Sequence, residues 1–363
     1  MIEVAVVSGK GGTGKTSLTA CFAVLAERPV VADCDVDAAD LHLVLQPTLA
    51  TTEEFSGRSL PAIAAEDCTR CGRCIDVCRF DALSWPLGAD DEAASGGATA
   101  GDSVEAAAHP EGASGDDAPP RLDAFRCEGC GLCMRICPAQ AIAMEPAVNG
   151  ELYTSQTRVG PMAHARLGIA EDTSGKLVTK VRERARQLAE KSGRELVLID
   201  GPPGIGCPVI ASIAGVDLLV IVTEPTVAGR HDLERVVLLA EHFRRRIAVC
   251  INKWDLNTAL ADRLTEEAWA AGAVAVGRVR YDGAVTAAQR EGRTLVEHAP
   301  DGGAAADVRA FWDALVGALA TPAATGPLRD AETSGAPASG TATPGTPGSA
   351  DHANDDSTAE GRA

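Results

Sequence analysis

Long apolar runs are missing from this 363-residue chain. None approaches the roughly 18 residues needed to cross a bilayer, so no membrane-spanning segment is expected. Extended clusters of Lys and Arg are missing too, the longest basic run being Arg244–Arg246. Without them nothing is available to neutralise a phosphate backbone, which argues against a nucleic-acid partner. The C-terminal stretch has no basic amphipathic helix of the kind that lies on a membrane surface, so no stable membrane anchor is expected. Met1 leads into an apolar strand with no basic leader, which predicts no signal peptide and a cytoplasmic protein.

The formal net charge is −18 and unevenly placed. Residues 88–120 carry eight acidic side chains and no Lys or Arg, and residues 321–363 carry six acids against two arginines. Both stretches are rich in Ala, Gly, Ser, Pro and Thr. With so few large apolar groups they cannot offset their ordering entropy. They read as a disordered acidic loop and a disordered tail rather than as surfaces for a basic partner. The rest of the chain is long enough for more than one domain.

What is present begins at the N-terminus. The apolar run Ile2 to Val7 is followed by Ser8-Gly-Lys-Gly-Gly-Thr-Gly-Lys-Thr16, in which Gly9, Gly14, Lys15 and Thr16 have the spacing of a phosphate-binding P-loop. A triphosphate needs a concave nest of backbone N–H groups, and glycines let the backbone curl that tightly. Gly9, Gly11, Gly12, Thr13, Gly14, Lys15, Thr16 and Ser17 are therefore the expected nucleotide-binding residues. Lys15 would reach the β- and γ-phosphates and the Thr16 hydroxyl would take one Mg²⁺ position. Further on, the apolar strand Glu195 to Ile199 delivers Asp200 and then Gly-Pro-Pro-Gly204. A carboxylate delivered in this way beside a P-loop is the Walker B arrangement, so Asp200 is expected to hold Mg²⁺ through water. Gly204 is expected to donate an N–H near the γ-phosphate.

Eight of the twelve cysteines fall into two tight arrays. Cys68, Cys71, Cys74 and Cys78 have the spacing C-x₂-C-x₂-C-x₃-C, and Cys127, Cys130, Cys133 and Cys137 repeat it with Pro138 following. Zinc sites do not use this triple spacing. The duplicated array resembles a bacterial two-cluster ferredoxin. That resemblance implies two 4Fe-4S clusters, one held by Cys68, Cys71, Cys74 and Cys137, the other by Cys127, Cys130, Cys133 and Cys78. Arg79 stands where the first array would usually have proline. Cys21, Cys34 and Cys250 read as buried small hydrophobes.

Lys10 turns the P-loop into the pattern K-G-G-x-G-K-T. With it the chain resembles the MinD, ParA, Mrp and nitrogenase-iron-protein group of ATPases, which carry a deviant Walker A loop. The motif G-P-M-x-H-A-R-L-G at residues 160–168, followed by Ser174-Gly-Lys-Leu-Val178, is similar to the MinD-superfamily ATPases with an inserted ferredoxin domain. The resemblance spans roughly residues 1–320, apart from the acidic insert, and implies several roles. Lys10 acts across an ATP-sandwich homodimer. Asp35 positions the attacking water in switch I, with Asp33 near the Mg²⁺ shell, while Asp37 and Asp40 read as an acidic loop and helix cap. Gly160, His164, Arg166, Ser174 and Lys176 are candidates for linking cluster and nucleotide. Cys207 stands where the iron protein ligates a bridging cluster, although no second such cysteine is evident. The missing basic C-terminal helix departs from MinD itself. Asn252 is expected to pair with the purine edge. Asn252-Lys-Trp-Asp255 is also a guanine-reading pattern, and the deviant P-loop favours ATP over GTP.

The expected fold is α/β, a doubly wound parallel sheet of the P-loop NTPase kind with an inserted small α+β two-cluster ferredoxin module. The ATPase domain would take residues 1–58 and 147–320, the module 59–146, and the tail 321–363. The expected function couples ATP binding and hydrolysis to electron transfer toward an unknown redox partner protein. Two other functions stay open: an ATP-dependent iron–sulfur cluster carrier or scaffold, and a positioning or adaptor ATPase with structural clusters.

Overall fold

The computed structural model describes residues 1–86, 118–168 and 174–321, all within one compact unit, Met1–Thr321. Most of the acidic segment and all but the first residue of the tail lie outside the described residues. The chain opens with β1 (Ile2–Ser8), α1 (Lys15–Leu25), β2 (Val30–Asp33), α2 (Leu41–Leu45) and β3 (Thr48–Phe55). The insert follows as β4 (Arg58–Ile63), α3 (Arg73–Asp76), β5 (Leu83–Ser84), β6 (Arg121–Leu122), α4 (Leu132–Ile136) and β7 (Ile142–Ala147). The chain then runs through β8 (Gly150–Gln156), β9 (Pro161–Leu167), α5 (Ser174–Ser192), β10 (Leu196–Pro203) and α6 (Cys207–Ile213). It closes with β11 (Leu218–Thr223), α7 (Val227–His242), β12 (Ile247–Asn252), α8 (Thr258–Ala270), β13 (Ala275–Val279), α9 (Ala284–Arg290), α10 (Leu295–His298) and α11 (Gly303–Ala320).

Nine strands form one sheet in the order β13-β12-β11-β1-β10-β2-β9-β8-β3. The central strands are apolar throughout because both faces of the sheet are covered. Successive side chains alternate between those faces. Val4 and Val6 of β1 join a core with α1, α2, α10 and α11, whereas Ala5 and Val7 join a second core with α5, α6, α7 and α8. The carboxyl ends of the parallel strands gather Ser8, Asp33, Asp200 and Asn252 along one edge, where doubly wound sheets bind ligands.

The sheet is not wholly parallel as the sequence suggests. β8 runs antiparallel to both β9 and β3. The reason is local: β8 and β9 are joined by four residues, enough for a hairpin but too few for a parallel crossover. β3 forms the sheet's edge, and all its residues except Phe55 are exposed. Its charged Glu53 and Glu54 discourage edge pairing with another chain. The insert leaves from Phe55 and returns at Gly150, which are register partners, so it enters and leaves the sheet at one point. It has its own two-stranded pairings, β4 with β7 and β5 with β6.

At the opposite end of the sheet, Glu3 and Arg182 are buried as a pair. Arg182 donates to the Glu3 carboxylate and to the carbonyls of Ala211 and Ala214, and Arg186 adds a second ion pair. Burial alone would raise the Glu3 carboxyl. The Arg186 and Arg182 guanidiniums outweigh it and hold the group below its ordinary value. Glu3→Ala would leave Arg182 buried without a carboxylate, and is expected to lower unfolding stability by about 3 kcal/mol. A shift of the denaturant midpoint at unchanged slope checks this.

Candidate functional site

β1 hands over at Ser8 to the loop that closes into α1. Gly14 is the N-cap of α1, at φ 91°, and a Cβ there would lie 2.4 Å from Asn252 Nδ2. Positive φ and close approach both demand glycine. Gly9 packs against Asp232 of α7. Residues Gly11–Ser17 line a cavity of about 720 Å³ together with Asp35, Asp37, Pro202, Pro203, Asn252, Lys253 and the loop Arg280–Asp282. The positive end of α1 faces this cavity, with no acidic residue in the first turn to offset it. Thr13 Oγ1 is buried and makes no hydrogen bond among the described residues, which suits a loop built to receive a ligand oxygen.

Behind the loop lies a cluster of charge. Asp200 is fully buried at the end of β10. Its carboxylate accepts from Thr16 Oγ1 at 2.7 Å, Thr19 Oγ1 at 3.0 Å and Lys15 Nζ at 3.2 Å. Thr19, which sequence reasoning missed, sits one helical turn beyond Lys15 and so points the same way. Lys15 Nζ is also 3.5 Å from Asp35 Oδ2. Burial would lower the Lys15 ammonium, but Asp200, Asp35 and Asp33 raise it above its ordinary value. Burial raises the Asp35 carboxyl, with Lys15 opposing and Asp200 reinforcing. Asp33 is raised well above its ordinary value by its complete burial and by Asp200. Asp35 and Asp200 bring carboxylate oxygens to one lysine beside the loop, a donor set that suits a divalent cation.

Three expected contacts are arranged differently. Asp33 does not line the cavity. Its carboxylate accepts the N–H groups of Asp35 and Leu41 at 3.2 Å each, so it shapes the loop after β2 from behind. Asn252 donates from Nδ2 to the Thr13 carbonyl at 2.7 Å and accepts the Lys253 N–H at Oδ1. Both ends of its amide brace the P-loop, a contact that sequence reasoning did not foresee beside the expected purine pairing. Gly204 donates its N–H to the Ser8 carbonyl at 2.8 Å, so that group is turned to the P-loop strand rather than into the cavity. Asp255, the guanine-reading position of the N-K-x-D pattern, accepts the Tyr281 N–H at 2.7 Å.

Lys10 is 3.4 Å from Glu224, whose other oxygen takes Lys253 Nζ at 2.5 Å. Lys253 also donates to the Gly12 carbonyl. Lys253 stood inside the Asn252–Asp255 pattern with no role assigned to it, and Glu224 carried no motif; the hint for Glu224 was its place just past the carboxyl end of β11.

The insert holds two small cavities. One is lined by Cys68, Cys71, Cys74 and Cys137, the other by Cys78, Cys127, Cys130 and Cys133, with the buried Cys74 reaching the edge of the second. The crossing of one cysteine from each array into the other's cavity follows from α3 and α4 packing side by side. Main-chain N–H groups of Ala82 and Gly129 donate to Cys78 Sγ and Cys127 Sγ. Burial raises the Cys74 and Cys133 thiols. No group of three or more His, Cys, Asp or Glu side chains among the described residues could hold a metal ion. The thiols instead stand around cavities, and a donor set of four sulfurs with N–H support fits an iron–sulfur cluster.

Among the linking candidates, Gly160 packs against the Pro29 carbonyl and Arg166 faces Glu151 across the β8–β9 pair. His164 is paired in register with Asp33. Its Nε2 bonds Ser155 Oγ at 2.8 Å and its ring stacks on Tyr153. Ser174 starts α5, and Lys176 donates to the Gly57 carbonyl at 2.7 Å. Cys207 is exposed at the start of α6. Cys21, Cys34 and Cys250 are buried, and burial pushes all three thiols up, Cys21 to about 11.

Two outcomes follow. Thr19→Val removes a hydrogen bond to the buried Asp200 carboxylate, and should cost about 1.5–3 kcal/mol in chemical denaturation. Burial pushes the His164 imidazole down to about 4 from its ordinary 6.5, with His42 adding to the shift. The unfolded chain then binds the extra proton first. The stability from neutral His164 is fully present above about pH 6.5 and is lost as pH falls toward 4. His164→Gln should flatten that part of the melting-temperature profile, measured between those limits.

Comparison with known proteins agrees with this architecture. Residues 4–296 match the model of the CobQ/CobB/MinD/ParA nucleotide binding domain. An uncharacterized protein of Methanocaldococcus jannaschii is 32% identical over 261 residues, which are 71% of this chain and 80% of that protein. Among solved structures, the septum site-determining protein MinD of Pyrococcus horikoshii, complexed with Mg-ADP, aligns with a TM-score of 0.49 at 16% identity, covering 86% of this chain and 95% of that one. A ParA family ATPase of Chlorobium tepidum aligns with a TM-score of 0.44 at 15% identity, covering 86% and 98%. The chain belongs to the CobQ/CobB/MinD/ParA family of nucleotide-binding domains, with a P-loop NTPase fold.

Proposed function

We propose that this protein is an ATP hydrolase that works as a homodimer and couples its nucleotide state to electron transfer through two 4Fe-4S clusters. The observation that carries the redox half is the pair of cavities in the insert. One is lined by Cys68, Cys71, Cys74 and Cys137, the other by Cys78, Cys127, Cys130 and Cys133 with Cys74 shared between them. When bound, the clusters would supply one-electron transfer to and from a partner protein.

The chain's own residues divide the remaining work. Gly11–Thr16 and the start of α1 would cradle the phosphates, with Lys15 exchanging its present carboxylate partners for the β- and γ-phosphates. Thr16 and Asp200 would then be free to hold Mg²⁺. Asp35, whose carboxyl is raised, would orient the attacking water. A carboxylate with this shift accepts a proton more readily than an ordinary one. Lys10 would leave Glu224 and reach the phosphates bound by the second subunit. Glu224 would keep Lys253 as its counter-ion, so no carboxylate is left bare. The deviant P-loop with Lys10 supports adenine over guanine as the base.

Exposure of Cys71 and Cys130 supports a second function, a cluster carrier with ATP gating release.

The experiment is an anaerobic EPR-monitored redox titration with and without Mg·ATP, with Lys10→Ala as control. Mg·ATP is expected to shift a midpoint potential, by about 59 mV for each tenfold change in coupled nucleotide affinity. Lys10→Ala is expected to abolish the shift. Potentials that stay put would overturn the coupling, and cluster transfer to an apo-ferredoxin would then support the carrier.

A further inference from the structure

The insert joins the sheet through two short crossings, Ser56–Gly57 on the way out and Val148–Asn149 on the way back. Both are gripped by residues that belong to neither crossing strand. Asn149 is buried. Its N–H donates to the Phe55 carbonyl at 2.9 Å, its Oδ1 accepts the Gly57 N–H at 2.7 Å, and its carbonyl accepts the Gly168 N–H at 2.9 Å. The Gly57 carbonyl is taken by Lys176 Nζ at 2.7 Å. Both main-chain groups of Gly57 are thus held by side chains from outside β3 and β4.

Each grip leads back to one of the two switch segments. Leu167, beside Gly168, donates its N–H to the carbonyl of Val36, the residue after Asp35. Gly175, beside Lys176, packs against Cys207 at the start of α6, where the segment after Asp200 ends. Movement at Asp35 therefore reaches Gly57 through Leu167–Gly168 and Asn149. Movement after Asp200 reaches it through Gly175–Lys176.

The other side of the joint is one-sided. Arg58, next to Gly57, donates to the Cys127 carbonyl at 3.4 Å. Gly129 lies against the Ser59 carbonyl so closely that a Cβ would come within 2.7 Å of it, and its φ is +63°. Residues 57–59 thus bear on the loop that carries Cys127 and Cys130. The cavity with Cys68 and Cys71 lies at the far end of β4, against Ile63 and Ile142.

We propose that Lys176 and Asn149 are positioning residues that pass nucleotide state through Gly57 and Arg58 to the Cys127–Cys133 loop. Of the two cavities, the one holding Cys78, Cys127, Cys130 and Cys133 then responds to nucleotide and the other does not. This rests on the coupled redox function proposed above. The physical means is the Arg58 cation. Charge and hydrogen bonding near a cluster set its potential, so displacing a guanidinium beside Cys127 changes one potential selectively. Side-chain intermediacy alone would not make a pathway, so the test measures the coupling itself.

The test uses the full chain with its iron in place. Amide hydrogen exchange is followed at Gly57 and Gly168 with and without Mg·ATP, and both midpoint potentials are titrated in parallel. In the wild type Mg·ATP should change exchange at both amides and shift one potential of the two. Lys176→Met should keep ATP hydrolysis and iron content but lose most of that shift, and Lys176→Arg should restore it. Arg58→Met should lower the responding potential even without ATP and leave the other in place. A full shift surviving in Lys176→Met, equal shifts of both potentials, or unaltered exchange at Gly57 in the wild type would each overturn the joint. Altered exchange with both potentials unmoved would instead remove the redox function and leave the joint standing.

Discussion

Asp200 is a carboxylate with no access to water, and the nucleotide end of the molecule is arranged to tolerate it. A buried charge without partners is too unfavourable to persist. Here Lys15, Thr16 and Thr19 supply three donors, all from the first turns of α1. Those bonds fix α1 against β10 and hold the P-loop between β1 and β10. Asp33 and Asp35 lie in the same field: burial raises the carboxyls of both, Asp200 adds to the rise and Lys15 opposes it. The carboxylate oxygens of Asp200 and Asp35 also make the arrangement receptive to a cation. Stability and binding capacity thus come from one set of contacts.

The same economy appears on the outer side of the loop. Glu224 sits between Lys10 and Lys253, while Lys253 and Asn252 reach to the carbonyls of Gly12 and Thr13. The ends of β11 and β12 therefore brace the P-loop from above as Asp200 does from below. A loop rich in glycine loses much conformational entropy on ordering. Side chains that hold its carbonyls before a ligand arrives reduce what binding must supply.

How far the sequence revealed this depends on the kind of signal each residue carries. β1, β10, β11 and β12 are continuous apolar runs and stand out, as do Lys15, Thr16 and Asp200, whose spacing is dictated by phosphate and Mg²⁺ geometry. The cysteine arrays are legible for the same reason. β3 and β8 were not legible, because Thr48–Glu54 is exposed along its whole length and has no apolar alternation to read. Their antiparallel placement follows from tertiary pairing. Asn252 and Gly204 were visible as functional positions but not in their contacts, since a side chain's partner across two hundred residues leaves no local trace. Glu224 and Thr19 were missed for that reason. Lys176 was singled out by its motif, but only the fold shows that its partner is Gly57.

The insert's small core explains why its root is so firmly held. Among the described residues its core cluster is Cys74, Leu83 and Ile142, with Ala82 and Ala141 also buried and Ile63, Ile75 and Leu122 partly covered around them. A core of that size cannot order some thirty residues on each side of a long excursion by hydrophobic burial alone. Under the proposed function order comes from two other sources, the clusters that the eight thiols would hold and the anchorage at Gly57 and Asn149. The first is internal to the insert. The second belongs to the nucleotide domain, because Lys176 and Gly168 lie outside the insert. A module that borrows its rigidity from its host cannot be indifferent to the host's conformation. Under the proposed coupling, a change that displaces Leu167 or Gly175 would alter the frame on which the Cys127 loop rests, and the loop has little core of its own to resist.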